Sequence, residues 1–360
     1  MGSAARPEDL DTPVLAVDLD RLERNVAAMA AACRARGLAL RPHAKTHKCL
    51  EIGRMQRDAG ATGLTVATVA EAEVFAAGGF DDLFLAYPVR AAGPRAVRMR
   101  AVAERVRLRV GVESAEGAAV LGAALRGTEA AVLVEIDSGH HRTGVPPGEA
   151  AAVAFAATRA GLEVAGVFTF PGHGYAPNAR RRAARDEAEA LARAADALQR
   201  QGFDPRVRSG GSTPTVAEAD AGVLTEVRPG VYPFHDAQQA ELGTCRWDDV
   251  ALTATATVVG ARDRRIVLDA GSKVLGADRP AWASGFGRLL DHDGARIEAL
   301  SEHHATVVFP QHAAPPSIGD VVRVVPNHVC AAVNLADELV VLREDVVVDR
   351  WRVAARGANT

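Results

Sequence analysis

The sequence has few cysteines: Cys33, Cys49, Cys245 and Cys330 are widely separated in 360 residues and form no C-x-x-C pair. That spacing argues against both a disulfide framework and a cysteine-only zinc site, and it suits a reducing compartment. Net charge is also scarce, at -3 with both signs mixed along the chain, so there is no basic footprint for nucleic acid and small soluble molecules are the expected partners. No stretch approaches the apolar run that a membrane span requires. Met1–Thr12 has no apolar targeting core and soon meets Glu8, Asp9 and Asp11, from which we expect a soluble, untargeted, cytoplasmic protein. Aromatic residues make up only 4% of the chain, which together with its Ala, Arg and Val richness is compositional drift without functional content.

What is present is enough apolar material, 48% of residues, to bury a large core, and a length that suits a barrel plus a smaller domain. Short apolar, β-branched runs alternate with Ala-, Glu- and Arg-rich helical stretches from Leu38 to Pro229. Eight strands are expected, over 38–42, 64–67, 83–86, 106–110, 132–136, 164–169, 206–208 and 225–228. Helices are expected over 22–36, 149–160 and 179–201. This is the period of a closed (β/α)8 TIM-type barrel. An open doubly wound sheet would carry a G-x-G-x-x-G turn after its first strand, and nothing of that form follows Pro42. Beyond Tyr232 the texture becomes strand-like with Pro and Gly turns, over 250–259, 265–269, 297–309, 321–325 and 338–348. The expected organisation is therefore an α/β barrel over 12–240 and a mostly β domain over 241–360, with the N-terminal arm 1–11 as a candidate addition to the latter. The turn-rich stretch 271–288 is the best candidate for a long functional loop.

Barrel chemistry sits where strands end. The segment Arg41-Pro42-His43-Ala44-Lys45-Thr46-His47-Lys48 puts Lys45 just past the first strand among other cationic groups. Neighbouring positive charge and partial burial favour the free amine that Schiff-base formation needs; the plainer alternative is a basic surface loop. Thr68 and Glu71 follow the second strand, Asp137, His140 and Arg142 the fifth, and His173 and Tyr175 the sixth. After the seventh comes Gly210-Gly211-Ser212-Thr213-Pro214-Thr215, in which adjacent glycines and hydroxyls at a helix N-terminus would cradle a phosphate, or serve simply as a helix cap. A Schiff-base lysine with a phosphate cradle points to pyridoxal 5'-phosphate. Arg228, in the run Arg228-Pro229-Gly230-Val231-Tyr232, is a candidate partner for the cofactor's ring nitrogen, the alternative being an ordinary ion pair. His328-Val329-Cys330 sets an imidazole and a thiol at alternate positions, which on an extended strand face the same way and suit a divalent metal, zinc or manganese. Of His303 and His304, at most one can then reach such a site.

Taken together, R-P-H-A-K-T-H-K, E-I-D-S-G-H-H-R-T-G-V, G-G-S-T-P-T, E-V-R-P-G-V-Y and P-N-H-V-C resemble the family of D-threonine aldolase and D-serine dehydratase, relatives of alanine racemase with the fold-type III pyridoxal phosphate architecture. The likeness runs in order from Thr12 to Gly357. The resemblance implies a homodimer, the cofactor on Lys45, its phosphate around Gly211–Thr213, Arg142 and Tyr175 lining the cofactor site with His173 and Tyr232 nearby, and a catalytic metal on His328 and Cys330. Two departures stand out. Phe170 occupies a place where some relatives carry histidine, and Cys330 one where some aldolases carry aspartate, which leans toward the dehydratase branch and zinc.

The expected activity is a metal-assisted lyase acting on D-3-hydroxy amino acids. D-threonine aldolase leads, and elimination to a 2-oxo acid and ammonia is the alternative. Two-base racemisation would need a tyrosine from the second domain, and Tyr87, Tyr175 and Tyr232 all precede it. A non-catalytic cofactor carrier would need no metal motif.

Overall fold

Alternating apolar runs and Ala-rich stretches become strands and helices in the computed structural model, which describes residues 5–292 and 294–360. In chain order the first elements are β1 (Val14–Asp18), α1 (Leu19–Ala35), β2 (Ala39–Leu40), α2 (Leu50–Asp58), β3 (Leu64–Val66), α3 (Val69–Ala77) and β4 (Asp82–Pro88). Next come α4 (Pro94–Ala103), β5 (Arg107–Val112), α5 (Ala115–Ala124), β6 (Ala131–Glu135), α6 (Ala150–Arg159), β7 (Glu163–Phe168), α7 (Arg180–Arg200), β8 (Val207–Gly210) and β9 (Glu226–Val227). They are followed by α8 (Ala237–Glu241), β10 (Leu252–Arg262), β11 (Arg265–Leu268), α9 (Ser272–Leu275), β12 (Gly287–Leu289) and β13 (Arg296–Leu300). The chain ends with β14 (Ala305–Val308), β15 (Val321–Pro326), α10 (Val329–Leu335), β16 (Glu338–Arg343) and β17 (Val346–Arg352).

Two compact units result, one comprising Met29–Lys45, Ile52–Gly230 and Ala358–Thr360, the other the segments through Ala28, Thr46–Glu51 and Val231–Gly357. The first is the barrel. Its parallel sheet runs β2-β9-β8-β7-β6-β5-β4-β3, and a parallel bridge between His43 and Thr65 joins the two end strands. All eight strands lie where the alternation placed them. The helices around them are held by small residues at helical spacing: α7 buries Ala184, Ala188, Leu191, Ala195 and Leu198 along one face. Thr68 and Ser114 cap α3 and α5 by accepting the N–H groups of Glu71 and Gly117.

The barrel interior has an apolar layer and a charged one. Phe84, Leu133, Ala165 and Phe168 form the first, with Phe84 and Phe168 edge to face at 5.0 Å. The second centres on Arg41, 1% exposed, whose Nε is 2.7 Å from Glu226 and whose Nη1 is 2.6 Å from Asp82. Arg109 also reaches Glu226, at 3.3 Å.

The other unit is built on a mixed sheet in the order β13-β14-β11-β10-β1-β16-β17, with β15 pairing both β10 and β12. Among the described residues only β1 and β16 run parallel in it. The segment Val14–Asp18, expected within the barrel domain 12–240, is instead a strand of the mixed sheet, because it pairs with β10 and β16; the end of that expected domain, 231–240, likewise belongs to the mixed-sheet unit. The runs 297–309 and 338–348 each contain a turn and resolve into antiparallel hairpins, β13–β14 and β16–β17. All four cysteines are free thiols. Among the described residues, no helix is long and apolar enough to cross a membrane.

Burial pushes the Glu226 carboxyl up, but Arg41, Ser209 and Arg109 more than reverse this and hold it below its ordinary 4.5. Its ionised form therefore stabilises the fold above pH 4.5, and this contribution is lost as acid takes the pH down through the depressed folded value. Removing one partner leaves a buried charge unpaired, so Arg41→Leu is expected to cost about 3–5 kcal/mol in urea unfolding at neutral pH. A loss below about 1 kcal/mol would mean that the pair is solvated.

Candidate active site

The end of β2 leads into a single 3-10 turn, Ala44–Thr46, that carries Lys45. Within the barrel unit Lys45 Nζ stands 5.9 Å from the centroid of the Phe170 ring. Arg142 is 5.1 Å from the same ring, His140 meets it edge to face at 5.5 Å, and Tyr175 lies 6.1 Å away. The residue that departs from the histidine of some relatives is thus the hub of an aromatic and cationic mouth. Burial first, then Arg142 and His173, lowers the pKa of His140, so its imidazole is a neutral base or acceptor at pH 7.

Arg228 follows β9 and is buried beneath this mouth. Its Nη1 donates to Ser209 Oγ at 2.5 Å and its Nη2 to the Thr169 carbonyl at 2.6 Å, while its guanidinium carbon sits 5.5 and 5.4 Å from the Phe84 and Phe168 ring centroids. Ser209 in turn donates to Glu226 at 2.6 Å. Arg228 is therefore fixed by a hydroxyl and a carbonyl, and three nearby acids, Glu226, Glu187 and Glu135, only partly offset the lowering of its pKa by burial.

The Gly210–Thr215 turn is buried and internally bonded. Gly211, at φ +74, adopts the left-handed conformation that favours glycine, and its N–H donates to Glu187 at 2.6 Å. Ser212 N–H donates to Thr215 Oγ1 at 3.0 Å. A three-residue 3-10 turn, Val216–Glu218, follows, not the helix expected here, because the chain leaves helical geometry at Ala219 and turns again where Gly222 donates to Asp220. The Gly211 and Ser212 N–H groups are thus engaged within the protein, and Ser212 Oγ lies 2.9 Å from Thr215 Oγ1, so a phosphate held here would exchange part of this internal bonding for its own. The amine, aromatic wall, guanidinium and hydroxyl-bearing turn together fit a phosphorylated pyridine aldehyde.

Several strand-end candidates make contacts within the protein. Thr68 and Glu71 cap α3, Glu71 also accepting from Ala67 N–H at 2.7 Å. Asp137 shapes its own loop by accepting from Gly139 and His141 N–H groups. His173 lies 3.2 Å from Asp186 through Nε2, and Tyr232, which the expected boundary left in the barrel domain, belongs to the mixed-sheet unit, where it is buried at 1% exposure.

In that same unit His328 is the residue before α10, and Cys330 is already helical. The alternate-position argument from an extended strand therefore does not hold. The two side chains nevertheless interact, the Cys330 sulfur accepting a hydrogen bond from the His328 imidazole. His328 Nδ1 is 3.2 Å from Asp236 Oδ2, and Cys330 Sγ is 3.4 Å from the hydroxyl of Thr46, the residue after Lys45 in sequence. Burial pulls the imidazole's pKa down, but Cys330 and Asp236 carry it well above the ordinary 6.5. An imidazole and a thiol that interact, with a carboxylate on the imidazole Nδ1, are a donor set that fits a zinc-like ion. Among the described residues no group of three or more His, Cys, Asp or Glu is arranged to hold a metal. His303 and His304 lie in the exposed turn after β13, where His303 Nε2 is 3.3 Å from Lys273 Nζ.

Asp236 was not singled out from sequence. It is fully buried and caps α8 by accepting from Gln239 N–H at 2.8 Å. The signal was available, since Asp236-Ala237-Gln238-Gln239 is an N-cap sequence with glutamine three residues on.

Residues 17–238 match the family described as the alanine racemase N-terminal domain, and residues 251–342 match the putative serine dehydratase domain. The chain belongs to this family, the fold-type III pyridoxal phosphate lyases of the D-threonine aldolase and D-serine dehydratase group. It is 35% identical over 375 residues to D-threonine aldolase of an Arthrobacter species, covering 98% of this chain and 96% of that one. It is 34% identical over 370 residues to D-threo-3-hydroxyaspartate dehydratase of Delftia sp. strain HT23, covering 95% and 97%. The crystal structure of D-threonine aldolase from Filomicrobium marinum superposes with a TM-score of 0.90 at 31% identity, covering 100% of both chains. A cysteine-to-alanine variant of D-threo-3-hydroxyaspartate dehydratase, solved in the metal-free form, has a TM-score of 0.89 at 32% identity, covering 97% and 98%.

If Asp236 orients His328 for a metal, Asp236→Asn is expected to weaken zinc or manganese binding about 10–100-fold, measured by competition with a chromophoric chelator. Unchanged affinity would reduce Asp236 to a helix cap.

Proposed function

We propose that this protein cleaves D-3-hydroxy amino acids as a lyase dependent on pyridoxal phosphate and a divalent metal, with D-threonine aldolase as the leading reaction. The observation that carries the proposal is the contact of His328 with Cys330, braced by buried Asp236, in a chain that also sets Lys45 against an aromatic and cationic barrel mouth. Bound pyridoxal phosphate would supply an electron sink for bonds at the substrate's α-carbon, and the metal a Lewis acid for its β-hydroxyl.

The chain's own residues divide the remaining work. Lys45 Nζ would hold the cofactor covalently and afterwards exchange the α-proton. Arg228, cationic and fixed by Ser209, would keep the ring nitrogen unprotonated. Arg142 and Phe170 would wall the mouth and exclude water. His140, neutral at pH 7, is the imidazole at this mouth able to take the β-hydroxyl proton, replacing the histidine that Phe170 displaces. His328 and Cys330 would hold the ion, with Asp236 fixing the imidazole tautomer.

If the hydroxyl proton is removed first, the Cα–Cβ bond breaks, giving glycine and an aldehyde. If the α-proton is removed first, hydroxide leaves, giving a 2-oxo acid and ammonia. Cys330, where some aldolases carry aspartate, leans toward this second reading, as does the 34% identity to a dehydratase.

Purified enzyme with pyridoxal phosphate and Zn²⁺ or Mn²⁺ should convert D-threonine to glycine and acetaldehyde and leave L-threonine untouched. A 2-oxo acid and ammonia from D-threonine or D-serine would establish the dehydratase instead, and neither product set would contradict both. Cys330→Ala should lose bound metal and activity while keeping the cofactor's absorption. Full activity after exhaustive chelation would exclude a catalytic metal.

A further inference from the structure

We propose that the buried carboxyl group of Glu187, on α7, positions the Gly210–Gly211 turn and thereby sets the affinity of the barrel for the cofactor's phosphate. The proposal rests on the reading above in which this turn, through Ser212 and Thr213, holds the phosphate. Glu187 is 0% exposed, and its Oε1 accepts the Gly211 N–H at 2.6 Å. It also packs on the backbone of Gly210 so closely that a Cβ there would lie 2.3 Å from Oε1. The carboxyl therefore backs both glycines of the turn at once. Among the described residues its other oxygen, Oε2, is buried without a hydrogen-bond partner, an arrangement that favours the neutral acid over the carboxylate.

Burial raises the carboxyl's pKa to about 7, with the Gly211 N–H and Arg228 drawing it back. Other nearby charges are committed elsewhere: Asp186 to His173 and Arg182, Arg208 to the Val223 carbonyl, and Glu218 to Arg181. Arg228 is thus the charged group that acts on Glu187. Below pH 7 the turn is backed by a neutral acid, and above it by an anion that repels a phosphate dianion on its other side. Binding of the phosphate would raise the pKa further, so affinity is greatest while Glu187 is protonated and falls as the pH rises through about 7.

The test starts from holoenzyme stripped with hydroxylamine and compares the binding of pyridoxal phosphate with that of pyridoxal, which lacks the phosphate, from pH 6 to 8.5. The ratio of the two affinities isolates the phosphate from chemistry at Lys45. Glu187→Leu should lower that ratio at least tenfold while leaving pyridoxal affinity unchanged. Glu187→Gln, which keeps the acceptor for Gly211 but cannot ionise, should match wild type at pH 6 and abolish the decline relative to wild type above pH 7. A wild-type ratio in Glu187→Leu, with only a lower melting temperature, would overturn the proposal. If that variant does not fold, a Glu187→Gln profile that falls in parallel with wild type would overturn it equally. Thr213→Val separates the two levels: a reduced ratio there with an unchanged one in Glu187→Leu defeats the Glu187 proposal alone, whereas unchanged ratios in both defeat the phosphate assignment as well.

Discussion

Everything proposed for the barrel depends on one buried chain of charge-assisted hydrogen bonds: Arg41 to Glu226, Glu226 to Ser209, and Ser209 to Arg228. Arg41 lies four residues before Lys45, so the contact that fixes β2 against β9 also fixes the origin of the turn that presents the amine. Arg228 lies two residues after Glu226, so the same carboxylate anchors the cation proposed to face the cofactor ring. Ionised groups are costly in a barrel interior unless each is paired and hydrogen-bonded. Here one carboxylate is shared by two arginines and a serine, which meets that requirement and leaves Arg228 with a single defined orientation.

The surrounding acids are graded by what they touch. Glu226, with several cationic and hydroxyl partners, is held ionised. Glu135 and Glu187, each with one oxygen bonded and the other buried without a partner among the described residues, are pushed up to about 7. Arg228 is thus surrounded by one fixed charge and two that respond to pH near neutrality. In the mixed-sheet unit Asp236 follows the same logic on a smaller scale, using one buried carboxylate both to cap a helix and to orient the imidazole of His328.

Much of this was legible in the sequence, because its signals are periodic or chemically distinctive. The barrel strands are β-branched runs at regular spacing, and all eight fall where that spacing puts them. Lys45, Arg142, Tyr175 and Arg228 follow strand ends, and the structure gathers the first three around Phe170. What was not legible depends on contacts distant in sequence. Val14–Asp18 fell inside the expected barrel bounds, and only its pairing with β10 and β16 puts it in the mixed sheet. His328 and Cys330 were expected to share a strand face, yet they meet because the chain turns into α10 between them. Glu187 sits within a helix of many charges, where nothing local distinguishes the one carboxyl that turns inward to Gly211.

The central claim is that Lys45, at the end of β2, is the residue that carries the cofactor. The chain has only three lysines, Lys45, Lys48 and Lys273, so the most direct measurement is borohydride reduction of the enzyme in the presence of pyridoxal phosphate, followed by peptide mapping. The account predicts a single pyridoxyl label on Lys45, with Lys48 and Lys273 unmodified. A label on either of those two, or an undiminished label in Lys45→Ala, would contradict it.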